Sequence, residues 1–104
     1  MLIVTTDGIP GKNLQPLGFV QGNIVRAKDL GRSLLAGLKA GTVGGEIKIY
    51  TDLLNEARTV ATERMVEQAT ELKADAIVGV RMETCSVMDG SSEITIYGTA
   101  VKFS

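Results

Sequence analysis

The feature that most limits the possible folds is one long helical pattern in residues 49–72. Apolar residues recur there every three or four positions, which is the spacing of an α-helix that buries one side. Neither Gly nor Pro occurs between Glu46 and Glu71, so no residue of this stretch breaks the helix. Such a helix is roughly 35 Å long, and a layer of similar length must cover it. The apolar stripe consists of Leu53, Leu54, Ala57, Val60, Ala61, Met65, Ala69 and Leu72.

Two strand patterns of similar length follow the helix. Residues 76–88 predict one strand, and residues 93–103 predict its return through the hairpin signal Asp89-Gly90. Alternation assigns one set of residues to the face that meets the helix: Ala76, Val78, Val80, Met82, Ile94, Ile96 and Ala100. The other face also receives apolar residues, namely Ile77, Val87, Tyr97, Val101 and Phe103.

The N-terminal half predicts two strands and a short helix. Residues 2–6 form a short strand pattern, and residues 17–27 form a second one with a bulge or tight turn at Gly22. Residues 28–40 have the spacing of a short helix, and Gly44-Gly45 then form a turn before the long helix. The chain is therefore expected to be one α+β domain over residues 1–104. In this two-layer unit the long helix packs on an antiparallel sheet that includes a C-terminal β-hairpin.

A sheet with two apolar faces needs more than one covering layer. The long helix covers one face, so either the short helix or identical subunits must cover the other. The length of the hairpin favours subunits, because long unpaired edges are usually paired or shielded. Tyr97 and Val101 are then expected at contacts between subunits.

The composition argues against several classes of function. Lys and Arg total 11 and Asp and Glu total 12, and Trp is absent beside two Phe and two Tyr, which argues against nucleic-acid binding. The sequence shows no membrane span and no signal peptide, so a cytoplasmic location is expected. It contains no His, and its carboxylates accompany no recognisable nucleophile or base. Neither an enzyme nor a bound cofactor is therefore expected.

Several segments resemble the YbjQ-like family of small bacterial proteins. The matching residues are 35–39 (LAGLK), 43–45 (VGG), Tyr50, Leu54, 56–58 (EAR), 74–80 (ADAIVGV) and 97–101 (YGTAV). The resemblance spans nearly the whole chain in the right order. It implies a two-layer, dodecin-like subunit that closes into a homopentameric ring, and the family carries a heavy-metal-binding label.

Glu46 and Lys73 depart from what the resemblance implies. The family commonly has Arg where Glu46 stands, which argues against an anion site at the Gly44-Gly45 turn. The family commonly has Gly where Lys73 stands, at a position suited to a left-handed helix end. Lys73 is therefore expected in a strained conformation that costs on the order of 1 kcal/mol.

The metal label can be compared with the residues present. A soft-metal site needs at least two converging thiolates or imidazoles, whereas this chain offers Cys85 alone. Met82 and Met88 are expected on the opposite strand face, so Cys85 is the one candidate metal ligand. A cysteine at such a position is more often a small packed or partly exposed strand residue. A ring could still bring several copies of Cys85 together.

The remaining candidates are positions for ligand binding or subunit contact. They are Gly44, Gly45, Glu46 and Tyr97. The Gly44-Gly45 pair lacks a phosphate-loop pattern, and Glu46 would repel an anion, so a connecting turn is favoured over a ligand loop. Two functions stay open. One is a ring-forming binding or structural module, and the other is a metal-ion or small-molecule binding protein whose site lies at subunit boundaries.

Overall fold

A computed structural model describes residues 1–27, 43–88 and 91–104 of the chain. Its elements are β1 (Leu2–Ile3), β2 (Leu14–Ala27), α1 (Val43–Glu71), β3 (Ala76–Met88) and β4 (Ser91–Phe103). The strands form one sheet in the order β1-β3-β4-β2, and α1 packs on one face of it. The α+β class and the helix-on-sheet arrangement are thereby confirmed. The predicted short helix in residues 28–40 and the Asp89-Gly90 connection lie outside the described residues.

The sheet is mixed, so the prediction of an antiparallel sheet is wrong for its first strand. β1 runs parallel to β3, with Leu2 opposite Ala76. The other neighbouring strands, β3 with β4 and β2 with β4, run antiparallel as expected. The alternation of apolar residues marks a strand but carries no information about the direction of its neighbour.

Helix α1 begins earlier than its apolar pattern, at Val43. Gly44 and Gly45 therefore lie within the first turn of the helix, and the prediction of a connecting turn there is wrong. Among the side chains of α1 that the structure describes, Ala57, Ala61, Met65 and Ala69 are fully buried. Leu54 and Leu72 belong to the same stripe but are 42% and 43% exposed, because they lie beyond the ends of this buried segment. Among the described residues, no helix combines the length and apolar character needed to cross a membrane.

The helix backbone lies directly on strand β2 at Gly22. A Cβ atom at Gly22 would overlap the Ala61 carbonyl oxygen and lie 2.5 Å from the Met65 backbone nitrogen. The predicted bulge at Gly22 is wrong, because β2 pairs regularly with β4 through Gly22 opposite Ile96. The irregularity of β2 lies between Pro16 and Gly18 instead. Glycine is therefore required at position 22 because the backbone of α1 comes so close. Close approach of another backbone is, besides a bulge, a known reason for glycine in a strand.

The C-terminal end of α1 has the hydrogen bonds of a Schellman motif. The Ala74 N–H donates to the Ala69 carbonyl at 3.0 Å, and the Lys73 N–H donates to the Thr70 carbonyl at 2.9 Å. This motif requires a left-handed residue after the helix, and Lys73 has φ of 61°. The expected strained conformation of Lys73 is therefore confirmed.

Replacement of Lys73 by glycine is expected to stabilise the protein by about 0.5–1 kcal/mol. Glycine lacks the Cβ that makes the left-handed region unfavourable. Part of this gain in stability is lost, because glycine also gives the unfolded chain more conformational entropy. Urea unfolding of the two proteins measures the difference. Lys73→Ala removes the same side chain but keeps the Cβ, so it is expected to give no such gain. Equal stability of the Gly and Ala variants would contradict the argument.

A bulge in β3 exchanges the two faces of that strand. The pairing with β4 shifts between Val78 and Arg81, and Gly79 has φ of 61°. As a result Ile77 and Val80 pack in the helix-side core, whereas Ala76 and Val78 pack on the other side. The predicted faces of Ala76, Ile77 and Val78 are therefore wrong. The helix-facing assignment is confirmed for Val80, Ile94, Ile96 and Ala100.

Candidate functional site

The sheet face away from α1 is partly covered by the N-terminal segment of the same chain. Ala76, Val78 and Val101 are buried there. Val4, Ile9, Leu14 and Phe103 pack against them. The sequence favoured subunits as the cover of this face and kept the short helix as the alternative, so the cover supplied by the N-terminal segment was missed. Val101 is 2% exposed within a single chain, and it belongs to a core.

None of the described residues covers the rest of this face, and we call it the open patch. It consists of Phe19, Val25, Arg81, Glu83, Cys85 and Tyr97. Phe19 is 64% exposed and Val25 is 52% exposed, although both are large apolar side chains. The rings of Phe19 and Tyr97 contact each other with centroids 6.1 Å apart. The open patch therefore combines an aromatic pair with charged residues on one strand surface.

The polar side of the open patch is held by specific hydrogen bonds. The Tyr97 hydroxyl donates to Glu83 Oε1 at 3.1 Å. This bond, followed by burial and the negative charge of Glu83, raises the pKa of Tyr97, while the charge of Arg81 opposes the shift. The phenol is therefore a neutral donor at physiological pH. Arg81 Nη1 donates to the Thr5 carbonyl at 2.9 Å and so ties the N-terminal segment to the patch.

Cys85 lies on the open patch, exposed and opposite Glu93 of β4. Glu93 Oε1 accepts a hydrogen bond from Thr95 Oγ1 at 2.6 Å. Within residues 1–27, 43–88 and 91–104, no three His, Cys, Asp or Glu side chains are close enough to share one metal ion. The donors that this part of one chain brings together do not fit a heavy-metal centre, and a site shared between subunits stays a prediction.

A shallow cavity adjoins the open patch on the same sheet face. It has a volume of about 280 Å³, and its lining residues are Asp7, Leu14, Pro16, Val78, Gly79, Thr99 and Val101. Its volume is at the lower limit of ordinary ligand pockets, which are about 300–1,000 Å³. One carboxylate, that of Asp7, accompanies mostly apolar walls.

The structure brings together only some of the site residues predicted from the sequence. Tyr97 and Cys85 share the open patch, whereas Gly44, Gly45 and Glu46 belong to the first turn of α1, which packs on the opposite face. Phe19 was missed as a site residue, although it stands in a strand pattern beside an apolar residue. Its neighbour Val20 is 1% exposed, so strict alternation could have placed Phe19 on the outer face.

Relatives of this chain occur in distant bacteria. The UPF0145 protein VP1283 of Vibrio parahaemolyticus is 56% identical over 103 residues, which cover 98% of this chain and 97% of that protein. A UPF0145 protein of Clostridium novyi is 46% identical over 102 residues, covering 98% of each chain. A UPF0145 protein of Thermosipho melanesiensis is 50% identical over 103 residues, with 98% of this chain and 94% of that protein covered.

A solved structure supports the fold. The crystal structure of a DUF74-family protein of unknown function from Pediococcus pentosaceus superposes with a TM-score of 0.69, at 18% identity. The match covers 100% of this chain and 98% of that one. The sequence profile YbjQ_1, described as "Putative heavy-metal-binding", matches residues 1–104 in full. This chain therefore belongs to the YbjQ-like family of uncharacterised bacterial proteins, whose curated relatives carry the name UPF0145.

Proposed function

We propose that this protein is a non-enzymatic binding or structural module that acts as a ring of identical subunits, five by the family resemblance. The observation that carries the proposal is the open patch. Phe19 and Val25 are more than half exposed on a sheet whose opposite face is already covered by α1. Exposed apolar surface that is contiguous and rimmed by charges is typical of protein contacts.

The surface area of the single chain supports this proposal. The chain exposes 6780 Å², about 1,200 Å² more than the roughly 5,600 Å² expected of a compact monomer of 11.0 kDa. A standard interface removes about 800 Å² from each partner. The excess is therefore of the size that one or two subunit contacts would cover. The chain measures 56 Å along its longest axis and 19 Å along its shortest. This elongated shape also favours association with other subunits.

The non-enzymatic part of the proposal rests on the side chains that the chain contains. The sequence has no His and one Cys, so the commonest acid-base residue is missing. On the open patch the hydroxyl of Tyr97 donates to Glu83, and this bond raises the pKa of the phenol. Recognition by shape and by hydrogen bonding is the chemistry that such a surface supports.

Substitution of Tyr97 by aspartate is expected to dissociate the assembly without unfolding the subunit. A new charge beside Glu83 would lie in the contact, and the buried helix-side core would stay intact. Size-exclusion chromatography with light scattering gives the mass, which for five copies of the 11.0 kDa chain is about 55 kDa. Far-UV circular dichroism checks that the helix remains.

The matched control is Thr59→Asp, which adds the same charge on the exposed side of α1. It is expected to leave the assembly unchanged. A wild-type protein that stays monomeric at micromolar concentration would overturn the proposed function. An oligomer that tolerates Tyr97→Asp would show that the open patch is not its interface.

A further inference from the structure

The N-terminal segment packs on the sheet face away from α1, and we call residues 4–13 the strap. Near its start, the Gly79 N–H donates to the Thr6 carbonyl at 2.8 Å. At its far end, the Ser104 N–H donates to the Asn13 carbonyl at 3.1 Å. The strap therefore has a defined position over the sheet. The shallow cavity lies where the strap meets β2, β3 and β4.

Asp7 is the one charged residue among the described residues that line this cavity. The backbone beside it is fixed, because the preceding Thr6 accepts the bond from Gly79 and donates its Oγ1 proton to the Gly8 carbonyl at 2.7 Å. A Cβ atom at position 79 would lie 3.7 Å from Asp7 Oδ1. The glycine at this position therefore leaves that side of the carboxylate uncovered.

The Asp7 carboxylate has no hydrogen-bond donor or cation against it in the described part of the chain. Two cations lie close to the strap, but each has another partner. Arg81 donates Nη1 to the Thr5 carbonyl at 2.9 Å, and Lys12 Nζ lies 5.1 Å from the centre of the Phe103 ring. A negative charge thus stands beside apolar walls without a positive group of its own.

We propose that this cavity binds a small primary alkylammonium ion, with its ammonium group on Asp7 and its alkyl chain against the apolar walls. The ammonium N–H groups donate to the carboxylate, and Thr99 adds a hydroxyl acceptor to the lining. The volume of about 280 Å³ is about nine times the roughly 30 Å³ that one water molecule takes up in the liquid, so a short chain fits. The apolar walls are Leu14, Pro16, Val78 and Val101.

Other classes of ligand match this lining less well. An anion would meet the charge of Asp7 and no basic side chain among the described lining residues. A metal ion would lack ligands, because no three His, Cys, Asp or Glu side chains of the described residues lie together. A neutral apolar molecule would use the walls and leave the carboxylate unpaired. The inference goes beyond the proposed function, since residues of one chain build the site without a partner subunit.

Solution NMR of the isotopically labelled full chain tests the proposal, with ethylammonium, butylammonium, butanol and butyrate as probes. We expect butylammonium to shift the amide signals of Gly79 and Thr99 with saturation at millimolar concentrations. Each methylene buried fully adds about fourfold in affinity, so butylammonium is expected to bind about tenfold more tightly than ethylammonium in this shallow cavity. Butanol keeps the chain but lacks the charge, and it is expected to bind about fivefold more weakly. Butyrate is expected not to bind.

Asp7→Asn removes the charge and keeps the shape of the side chain. It is expected to lower the affinity for butylammonium about fivefold and to leave that for butanol unchanged, which shows that the cavity is intact. Asp52→Asn is the matched control, because it makes the same change at an exposed position of α1, which packs on the opposite face of the sheet. It is expected to bind both probes as the wild type does.

Three results would overturn the inference. They are equal affinities for butanol and butylammonium, wild-type affinity for butylammonium in Asp7→Asn, and shifts that never saturate or that lie away from Gly79 and Thr99. None of them bears on the proposed self-association, which light scattering tests separately.

Discussion

Replacement of Gly22 by alanine is expected to separate helix α1 from the sheet. The added methyl group would overlap the Ala61 carbonyl oxygen and lie 2.5 Å from the Met65 nitrogen. Both atoms belong to the backbone of a helix, so neither can move as a flexible side chain would. We expect a loss of about 3 kcal/mol in the free energy of unfolding, at the upper end of what overpacking costs. Urea unfolding followed by circular dichroism measures it.

Gly8→Ala is the matched control for this substitution. A Cβ atom at Gly8 meets nothing within 4 Å, so the same chemical change is expected to alter stability by less than about 0.5 kcal/mol. If Gly22→Ala unfolded at the same urea concentration as the wild type, the helix would not lie against β2 as closely as described.

Substitution of Ala61 by aspartate is expected to prevent folding. Ala61 is 0% exposed and belongs to the helix-side core, so the new carboxylate would be buried among apolar side chains. Burial of an unpaired charge costs several kcal/mol, which is comparable with the 5–15 kcal/mol that stabilises an ordinary domain. The loss of the far-UV helix signal and of a cooperative thermal transition measures the effect.

Thr59→Asp again serves as the control, because it places the same charge two residues earlier on the exposed side of the helix. It is expected to fold with the helix content of the wild type. A folded Ala61→Asp protein would contradict the assignment of Ala61 to the core. Val101→Asp is expected to resemble Ala61→Asp rather than Tyr97→Asp, since Val101 is buried within one chain.

Local patterns in the sequence predicted much of the fold. The strand expected in residues 76–88 has those bounds in the structure, and the alternation in β4 correctly assigned Ile94, Ile96 and Ala100. These predictions succeeded because the side-chain direction in a regular element follows from its period alone. The conformation of Lys73 was predicted from the family resemblance, because the family commonly has Gly at this position and a left-handed residue often ends a helix.

The candidate site was less predictable than the fold. Tyr97 was identified because it lies in a regular strand, but its partner Phe19 was not. Val101 was assigned to a subunit contact, since no pattern showed that Val4 and Ile9 would fold back over it. The path of a distant segment decides which residues cover a sheet face. The periodicity of the strand carries no information about that path.

Local patterns predicted the long helix and the antiparallel strands β3 and β4, and the family resemblance predicted the left-handed end at Lys73 and the membership of the YbjQ-like family. The tertiary structure alone decided the exchange of faces at Gly79, the contact between Gly22 and Ala61, and the open patch around Phe19. The physical reason is the same in each case. A bulge, a close backbone approach and an uncovered surface are set by neighbours that are remote in sequence, whereas periodicity reports only on adjacent residues.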